Sequence, residues 1–348
     1  MTSAIPLQVE LNTIASSFGC LSSKVSQMHQ QLSSSDEDLP DNGAADGIAN
    51  GLALALEEYN RQFPNKKEEG EAVIVMVVQP GETNSCDQRD LEFKLMSQFH
   101  CRLVRKSLLE LATEARCSDA KELLLTREKV RAGVVYFRAG YTPNDYPTDE
   151  EWKGRHLVEH SAAIKCPDVF YHLFGAKKIQ QAIASPGVLR RFCRSDEEQE
   201  LLSSCFAGLY ALGEGDDSEI VQKALAHPHD YVLKPQREGG GNNLYDDELV
   251  QALKTMTYSE RAAYILMQKI VPPSAMGSLV RGGKIVYQGD CVCELGVFGV
   301  SLREYGGTDR RVLVDNVVGH ILRAKSTKTD EGGVAAGYAF LSSPRLVT

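Results

Sequence analysis

The stretch Tyr231–Tyr245, YVLKPQREGGGNNLY, begins as a short apolar strand and runs into three consecutive glycines. Glycine lets the backbone approach an anion closely, so the N–H groups of such a turn can surround phosphate oxygens. Lys234 adds a positive charge before the turn, and the Glu238 carboxylate can bind a hard metal ion. The stretch therefore predicts a phosphate-binding loop with its own metal ligand rather than a flexible surface hairpin.

Two common nucleotide-binding signatures are missing from the sequence. It contains no GxxxxGKS/T motif, which argues against a P-loop enzyme. It also lacks the HRD and DFG motifs, which argues against a protein kinase.

Composition narrows the class of protein further. The chain has 348 residues, of which 43% are hydrophobic, enough for a core divided among more than one domain. Its 38 Lys and Arg against 47 Asp and Glu give a net charge of −9, which argues against nucleic acid or acidic lipid as a partner. The apolar run Ala72–Val78 is strand-sized, so we expect no membrane span. Nine cysteines without a CxxC pair, and a first segment without signal-peptide features, predict a cytoplasmic protein.

Apolar periodicity predicts the elements of the first half. Ile48–Tyr59 has the spacing of an amphipathic helix. Ala72–Val78 is typical of a buried strand, Asp87–Phe99 of a helix, and both His100–Arg105 and Val134–Phe137 of further strands. This alternation favours a parallel sheet covered by helices.

The second half has a different pattern. Strands are predicted at Tyr231–Lys234, Tyr264–Lys269, Lys284–Tyr287 and Cys291–Leu302, with little helix between them. Antiparallel pairing is expected for strands that follow one another in this way. We therefore expect a second domain of the α+β class.

Glu10 and Asn12 lie two residues apart in the segment Val9–Asn12 and would share one face if this segment forms a strand. With Glu238 they could form an oxygen-only magnesium site that bridges nucleotide phosphates. A Glu-x-Asn pair by itself is more often a solvated strand face. The prediction therefore depends on a wider similarity.

Several blocks of this sequence, taken in order, resemble eukaryotic glutathione synthetases. The blocks are ELNTIASSFG, YFRAGY, HSAAIKCPD followed by GAKK, KPQREGGGNNLY, ILMQKI, CELGVFG and EGGVAAG. The resemblance implies an α/β (α+β) ATP-grasp fold with an inserted parallel-sheet substrate-binding domain. It assigns residues 1–66 to the N-terminal part of the ATP-grasp core, 67–176 to the substrate-binding domain, and 177–348 to the ATP-grasp domain with its glycine-rich lid loops.

The resemblance also implies a reaction, the ligation of γ-glutamylcysteine and glycine. ATP would phosphorylate the carboxylate of the dipeptide, and the amine of glycine would then attack the acyl phosphate. Such chemistry needs mainly positioning and charge neutralisation, supplied by Mg2+, lysines and backbone donors. Since the family is homodimeric, the resemblance further implies a homodimer.

Site residues follow from the same resemblance. Magnesium would be bound by Glu10, Asn12 and Glu238. The residues at ATP would be Glu10, Lys177, Lys234, Glu238, Gly239, Gly240, Gly241, Asn242, Asn243, Tyr245, Met267, Gln268, Lys269, Ile270, Glu294, Lys325 and Glu331. The residues at the dipeptide and glycine would be Ile14, Ala15, Ser16, Ser17, Glu82, Thr83, Asn84, Gln88, Arg138, Ala139, Gly140, Tyr141, Arg323, Val334 and Ala335.

Two of these residues are assigned catalytic roles, and two small residues bear on the acceptor. Lys234 would act on the phosphates, and Arg323 would bind the carboxylate of glycine. Ala335 and Ala336 leave little room, which favours glycine over β-alanine.

One departure from the family keeps three hypotheses open. The family has a helical segment before the ELNT block, and we expect this chain to lack it. The chain could be an active ligase, or a non-catalytic isoform that binds nucleotide or pairs with a full-length subunit. It could also be a related ligase for another dipeptide or acceptor, such as β-alanine.

Overall fold

The computed structural model describes residues 5–33, 38–64, 70–213, 218–238, 241–304, 311–330, 332–335 and 337–346. Its α-helices are α1 (Gly19–Leu32), α2 (Ala44–Gln62), α3 (Ser85–Phe99), α4 (Leu108–Glu114), α5 (Asp149–His160), α6 (Val169–Phe174), α7 (Lys177–Ala184), α8 (Asp196–Ser204), α9 (Ser218–Ala226), α10 (Asp246–Thr255) and α11 (Tyr258–Arg261). Within these ranges no helix combines the length and the apolar character needed to cross a bilayer.

The strands are β1 (Ala72–Val77), β2 (Leu103–Lys106), β3 (Ala115–Cys117), β4 (Leu123–Leu125), β5 (Val130–Phe137), β6 (Ile164–Cys166), β7 (Leu209–Ala211), β8 (Tyr231–Pro235), β9 (Tyr264–Gln268), β10 (Ser274–Arg281), β11 (Lys284–Arg303), β12 (Val312–Ser326) and β13 (Phe340–Ser342). The chain forms two compact units. Unit 1 is Met1–Thr13 with Phe170–Pro273, and unit 2 is Ile14–Val169 with Ser274–Thr348.

Unit 2 is built on a six-stranded sheet in the order β2-β1-β5-β4-β3, with β6 also paired to β5. Strands β2, β1, β5 and β6 are parallel, whereas β4 and β3 run antiparallel at one edge. All eight residues of β5 are buried, as expected for a parallel strand covered on both faces. The predicted parallel sheet is therefore confirmed at its centre, and the antiparallel edge was not predicted.

Helix α2 packs against this sheet and confirms the predicted amphipathic helix, which extends beyond both predicted ends. Leu52 and Leu56 are buried in one core with Ile74 of β1. Helix α2 also approaches β11 so closely that a Cβ at Gly51 would lie 2.4 Å from the Val300 side chain. Glycine at this position therefore allows the helix and the strand to pack together.

The second sheet of unit 2 is antiparallel, in the order β10-β11-β12-β13. The sequence predicted two separate strands, Lys284–Tyr287 and Cys291–Leu302, but both belong to the continuous strand β11. The separation was wrong because β10 pairs with β11 across the intervening Gly289, opposite Gly277.

Unit 1 contains the antiparallel three-stranded sheet β7-β9-β8. Leu233 of β8 and Leu266 of β9 are buried against apolar residues of α9 and α10, including Leu249. Because side chains alternate along a strand, Val232 and Lys234 lie on the other face of the sheet. This second face carries the candidate site.

The two units divide the chain differently from the predicted domains. Residues 274–348 belong to unit 2, whereas the predicted ATP-grasp domain joins them to residues 177–273. The two units are defined by how compactly their residues pack, not by function. The functional division into 1–66, 67–176 and 177–348 therefore stays a prediction.

Asp87 connects α3 to the start of α1. Its carboxylate accepts hydrogen bonds from the backbone N–H groups of Phe18 (3.0 Å), Cys20 (3.0 Å) and Leu21 (3.1 Å), and so caps α1 from another helix. It also pairs with the Arg138 guanidinium at 3.0 Å, and both side chains are at most 3% exposed. Burial opposes the charge on Arg138, but Tyr136 and Asp87 beside it raise the pKa of the guanidinium above its usual value.

Replacing Asp87 by asparagine should lower the free energy of unfolding by about 3 kcal/mol, because it leaves a buried guanidinium without its counter-charge. Asp90→Asn is the matched control on the same helix. Its carboxylate pairs with the exposed Lys24 at 3.1 Å, and its loss should cost less than about 1 kcal/mol. Urea denaturation followed by circular dichroism measures both values, and equal losses would contradict the buried network.

Candidate functional site

Lys234 lies near the end of β8, where the glycine-rich stretch begins. Its side chain is 5% exposed, and its Nζ donates a hydrogen bond to the backbone oxygen of Val9 at 3.2 Å. After the loop the chain returns to the same strand, since Leu233 and Leu244 exchange backbone hydrogen bonds of 2.9 and 3.0 Å. The loop is therefore closed at its base. Gly239 and Gly240 lie outside the described residues.

Lys177, the first residue of α7, joins the two predicted carboxylate ligands. Its Nζ donates to Glu238 Oε1 at 2.9 Å and lies 3.6 Å from Glu10 Oε2. It also donates to the backbone oxygen of Arg237 at 2.9 Å. Although far apart in sequence, Glu10 and Glu238 thus face one positive charge.

Asn12 completes the predicted set, because its Nδ2 donates to Glu10 Oε1 at 3.4 Å. The strand considered for Val9–Asn12 is not formed: in this region the sheet-like contact is a bridge between Gln8 and Phe206. The strand does not form because the backbone groups of Val9 and Leu11 bond to the side chains of Lys234 and Gln180 rather than to a neighbouring strand. The two side chains nevertheless lie together.

The electrostatics of Glu238 suit a cation. Burial raises the pKa of this carboxyl; Lys177 opposes the rise, and Glu10 adds to it. Two carboxylates that repel each other and share one ammonium group offer the oxygen donors that Mg2+ prefers. These residues fit the ion on donor chemistry. Among the described His, Cys, Asp and Glu residues no group of three could hold a metal, so the set depends on Asn12 as its third member.

A cleft of about 210 Å³ opens beside these groups within unit 1. Glu10, Lys177 and Lys234 contribute its charged lining. Most of the remaining wall is apolar and includes Phe206 and Ile265. A charged end and an apolar wall suit a ligand that carries both phosphate and a ring.

The predicted adenine hinge, Met267–Ile270, spans the end of β9, which stops at Gln268. Met267 is buried. The backbone N–H of Gln268 donates to Gly208 O at 2.8 Å, and that of Lys269 donates to Asp230 O at 2.8 Å. These two donors are therefore already engaged within unit 1.

The remaining predicted ATP residues of the loop lie around Tyr245. Asn243 Nδ2 donates to the Tyr245 hydroxyl at 3.4 Å, and the Lys269 ammonium lies 5.3 Å from the centre of its ring. Gly241 has a φ of +72° with open space around it, a conformation that favours glycine. Asn242 follows it directly.

Three predicted residues meet in unit 2, on neighbouring strands β11 and β12. Glu294 Oε2 accepts a hydrogen bond from Arg323 at 2.8 Å, and Lys325 Nζ lies 3.2 Å from Glu294 Oε1. Lys325 also donates to the backbone oxygen of Asp330 at 2.6 Å. Glu331 lies outside the described residues.

Val334 and Ala335 follow in a turn closed by a hydrogen bond from Gly337 N to Val334 O at 3.0 Å. Ala335 is exposed there. Ala336 lies outside the described residues. The structure therefore places Ala335 on the surface of unit 2, with Val334 half-buried beside it.

The predicted substrate segment Ile14–Ser17 has unusual backbone geometry. Ala15 and the following Phe18 have φ angles of 52° and 71°, in the left-handed region that most side chains disfavour. The Arg138 guanidinium supports the segment by donating a hydrogen bond to Ser17 Oγ at 3.0 Å. In this structure Arg138 is 4% exposed and holds the loop, whereas the sequence assigned it to the substrate itself.

Glu82, Asn84 and Gln88 form one network at the carboxyl end of β1. Glu82 accepts from Asn84 N at 2.6 Å and from Gln88 Nε2 at 3.4 Å. Gln88 Oε1 in turn accepts from Arg105 at 2.5 Å. Thr83 between them is exposed.

The other predicted substrate residues follow β5. Ala139 is 2% exposed, and Gly140 has a φ of +90° with its backbone oxygen bonded to the Tyr146 hydroxyl at 3.0 Å. The N–H of Tyr141 donates to Asp145 Oδ2 at 3.1 Å. This turn is held by its own local bonds.

The sequence prediction missed three residues that support predicted site residues, Asp87 and Arg105 in unit 2 and Gln180 in unit 1. A signal existed for Arg105, because it lies near the carboxyl end of a parallel strand, where functional residues gather. Gln180 could have been noticed one turn after Lys177 in the GAKKIQQ segment. Asp87 carries no such signal, since the N–H groups that it caps are distant in sequence.

Comparisons with known proteins show which family the chain resembles. The family model described as eukaryotic glutathione synthase, ATP binding domain, matches residues 2–346. The chain is 42% identical to the chloroplastic glutathione synthetase of Arabidopsis thaliana, over 98% of this chain and 62% of that protein. It is 40% identical to the glutathione synthetase of Dictyostelium discoideum, over 97% and 72%. It is 38% identical to the human glutathione synthetase, over 97% and 70%. The chain thus spans less than two thirds of the Arabidopsis protein.

A solved structure supports the fold. A glutathione synthetase-like effector from Globodera pallida, in its apo form, superposes with a TM-score of 0.72 at 21% identity, covering 98% of this chain and 71% of that chain. The predicted α/β fold of the glutathione synthetase kind is confirmed. Since the family model matches nearly the whole chain, the chain belongs to the family of eukaryotic glutathione synthases.

Proposed function

We propose that this chain is an ATP- and magnesium-dependent ligase that joins γ-glutamylcysteine and glycine into glutathione. The observation that carries the proposal is the position of the Lys177 ammonium, which lies 2.9 Å from Glu238 and 3.6 Å from Glu10. Burial raises the pKa of Glu238, and Lys234 is close enough to oppose that rise. Two carboxylates and two ammonium groups at a glycine-rich turn suit a nucleoside triphosphate with a divalent ion.

In the proposed reaction, Glu10, Asn12 and Glu238 hold magnesium. Bound there, the ion supplies charge neutralisation at the phosphate oxygens. The ammonium groups of Lys177 and Lys234 would contact the same phosphates, and the sequence EGGG is expected to add backbone N–H donors. These residues then stabilise the charge on the phosphoryl group as it moves to the dipeptide carboxylate.

We assign the acceptor side to residues of unit 2. The Arg323 guanidinium pairs with Glu294, and in the proposed complex it binds the carboxylate of glycine instead. Attack of the glycine amine on the acyl phosphate forms the peptide bond and releases phosphate. The Glu82 carboxylate suits the ammonium group of the dipeptide. Gln88 orients the Glu82 carboxylate by donating a hydrogen bond to it.

The cellular compartment and the oligomeric state belong to the same proposal. All nine cysteines are free thiols, which suits the reducing cytoplasm. The Arabidopsis relative is described as chloroplastic, so its compartment differs from the one proposed here. A homodimer is proposed from the family resemblance.

Purified chain supplied with Mg2+, ATP, γ-glutamylcysteine and glycine should release phosphate, and the rate should depend on all four. Glu238→Gln and Lys234→Met should each lower kcat at least about 100-fold, because each removes a charge that stabilises the phosphoryl group. Lys254→Met, on the exposed side of α10, is the control and should leave the rate unchanged. A coupled assay for ADP measures these rates. A folded wild-type chain that released no phosphate would refute the proposed activity.

The acceptor can be tested in the same assay. Glycine should exceed β-alanine in kcat/KM by about tenfold or more, because one methylene group in a small pocket has an effect of that size. The KM for ATP should not change between acceptors. If β-alanine or serine reacts faster than glycine, the assignment of Ala335 and Ala336 to glycine selection is wrong.

A further inference from the structure

The segment that carries Glu10 and Asn12 is held mainly by hydrogen bonds outside any strand. All of these bonds lie within unit 1. Gln8 N donates to Cys205 O (2.7 Å), Lys234 Nζ donates to Val9 O (3.2 Å), and Thr13 Oγ1 donates to His172 O (3.3 Å). Gln180 bonds to the backbone of Leu11. A segment without a strand partner depends on such contacts for its shape. The bonds to Leu11 therefore fix the residue between the two proposed metal ligands.

The Gln180 carboxamide binds Leu11 on both sides. Gln180 Oε1 accepts from Leu11 N at 2.8 Å, and Gln180 Nε2 donates to Leu11 O at 3.2 Å and to Gly175 O at 2.7 Å. The N–H of Leu11 belongs to the peptide plane shared with Glu10, and its oxygen to the plane shared with Asn12. One side chain thus sets the orientation of both planes.

Helix α7 connects this segment to the other half of the site. Lys177, on the same helix one turn before Gln180, contacts Glu238 and Glu10. The N–H of Lys178 donates to Gln236 Oε1 at 3.0 Å, close to Glu238 in sequence. The helix therefore holds the Glu10–Asn12 segment and the Glu238 loop at a fixed spacing.

We propose that Gln180 is a positioning residue that fixes the directions of Glu10 and Asn12 toward the cation. The proposal rests on the magnesium site of the proposed function. A carboxamide suits this role because it donates and accepts at the same time, whereas an ionised carboxylate accepts only and a thioether does neither well. Gln180 touches the metal ligands through the backbone of Leu11, not directly.

The first test needs no metal. In the metal-free chain of 348 residues, Gln180→Met should raise amide hydrogen exchange of the peptide containing residues 8–13 by about tenfold or more, because two hydrogen bonds to Leu11 are lost. Gln251→Met, an exposed glutamine on α10, is the matched control and should leave this peptide unchanged. Unchanged exchange in the folded Gln180→Met variant would overturn the proposal.

The second test measures the cation. Mn2+ is titrated into the chain with a non-hydrolysable ATP analogue, and water-proton relaxation reports the protein-bound ion. Gln180→Met should weaken Mn2+ binding by about 10- to 100-fold, the usual effect of losing a residue that orients metal ligands. Gln251→Met should bind as the wild type does.

The outcomes separate the two proposals. If the wild-type chain binds Mn2+ and Gln180→Met binds it equally tightly, the positioning role alone is overturned. A wild-type chain that bound no Mn2+ would overturn the magnesium site, and the positioning role with it. If Gln180→Met does not fold, Gln180→Glu replaces it in the exchange test. It keeps the acceptor for Leu11 N–H but loses both donations, and should also raise exchange at residues 8–13.

Discussion

The candidate site depends on one ammonium group that offsets part of the charge of two carboxylates. Glu10 and Glu238 would repel each other if nothing lay between them, and the partial burial of Glu238 strengthens that repulsion. The Lys177 ammonium lies 2.9 Å from Glu238 and 3.6 Å from Glu10 and reduces this repulsion, while the group keeps a net negative charge. Because Lys177 is the first residue of helix α7, a rigid element holds its ammonium group in place. The site is thus arranged for positive charge before any ligand binds.

A second principle concerns how irregular segments are held. Within the described part of the chain, the stretch that carries Glu10 and Asn12 pairs with no strand and is fixed by side chains such as Gln180. In unit 2, the segment before α1 has left-handed residues and is fixed by Asp87 and Arg138. In each case a polar side chain from a helix or a strand satisfies the backbone or a side chain of a loop. Rigid elements therefore determine the geometry of both loops.

The elements that could be predicted are those whose apolar pattern is local. Strand β1 and helix α2 follow directly from their buried residues, and the antiparallel strands β8 and β9 were found close to their observed ends. The division of β11 was wrong because polar and glycine residues interrupt its apolar pattern while its pairing continues. Pairing across a sheet is not visible in one segment of sequence.

The site shows the same limit. Lys234 and Glu238 could be assigned a role from one stretch of sequence, because their chemistry is concentrated there. Glu10 could be connected to them only through the family resemblance, since nothing local indicates that it meets Glu238. The position of Gln180 one turn after Lys177 places it near the site, but its role was missed because the sequence does not show that it bonds to the backbone of Leu11.

The most direct test is a crystal structure of the chain with Mn2+ and a non-hydrolysable ATP analogue. We expect an anomalous peak within coordination distance of oxygens of Glu10, Asn12 and Glu238, with the phosphates against the loop that follows Lys234. An anomalous peak bound by other residues, or phosphates remote from that loop, would contradict the account.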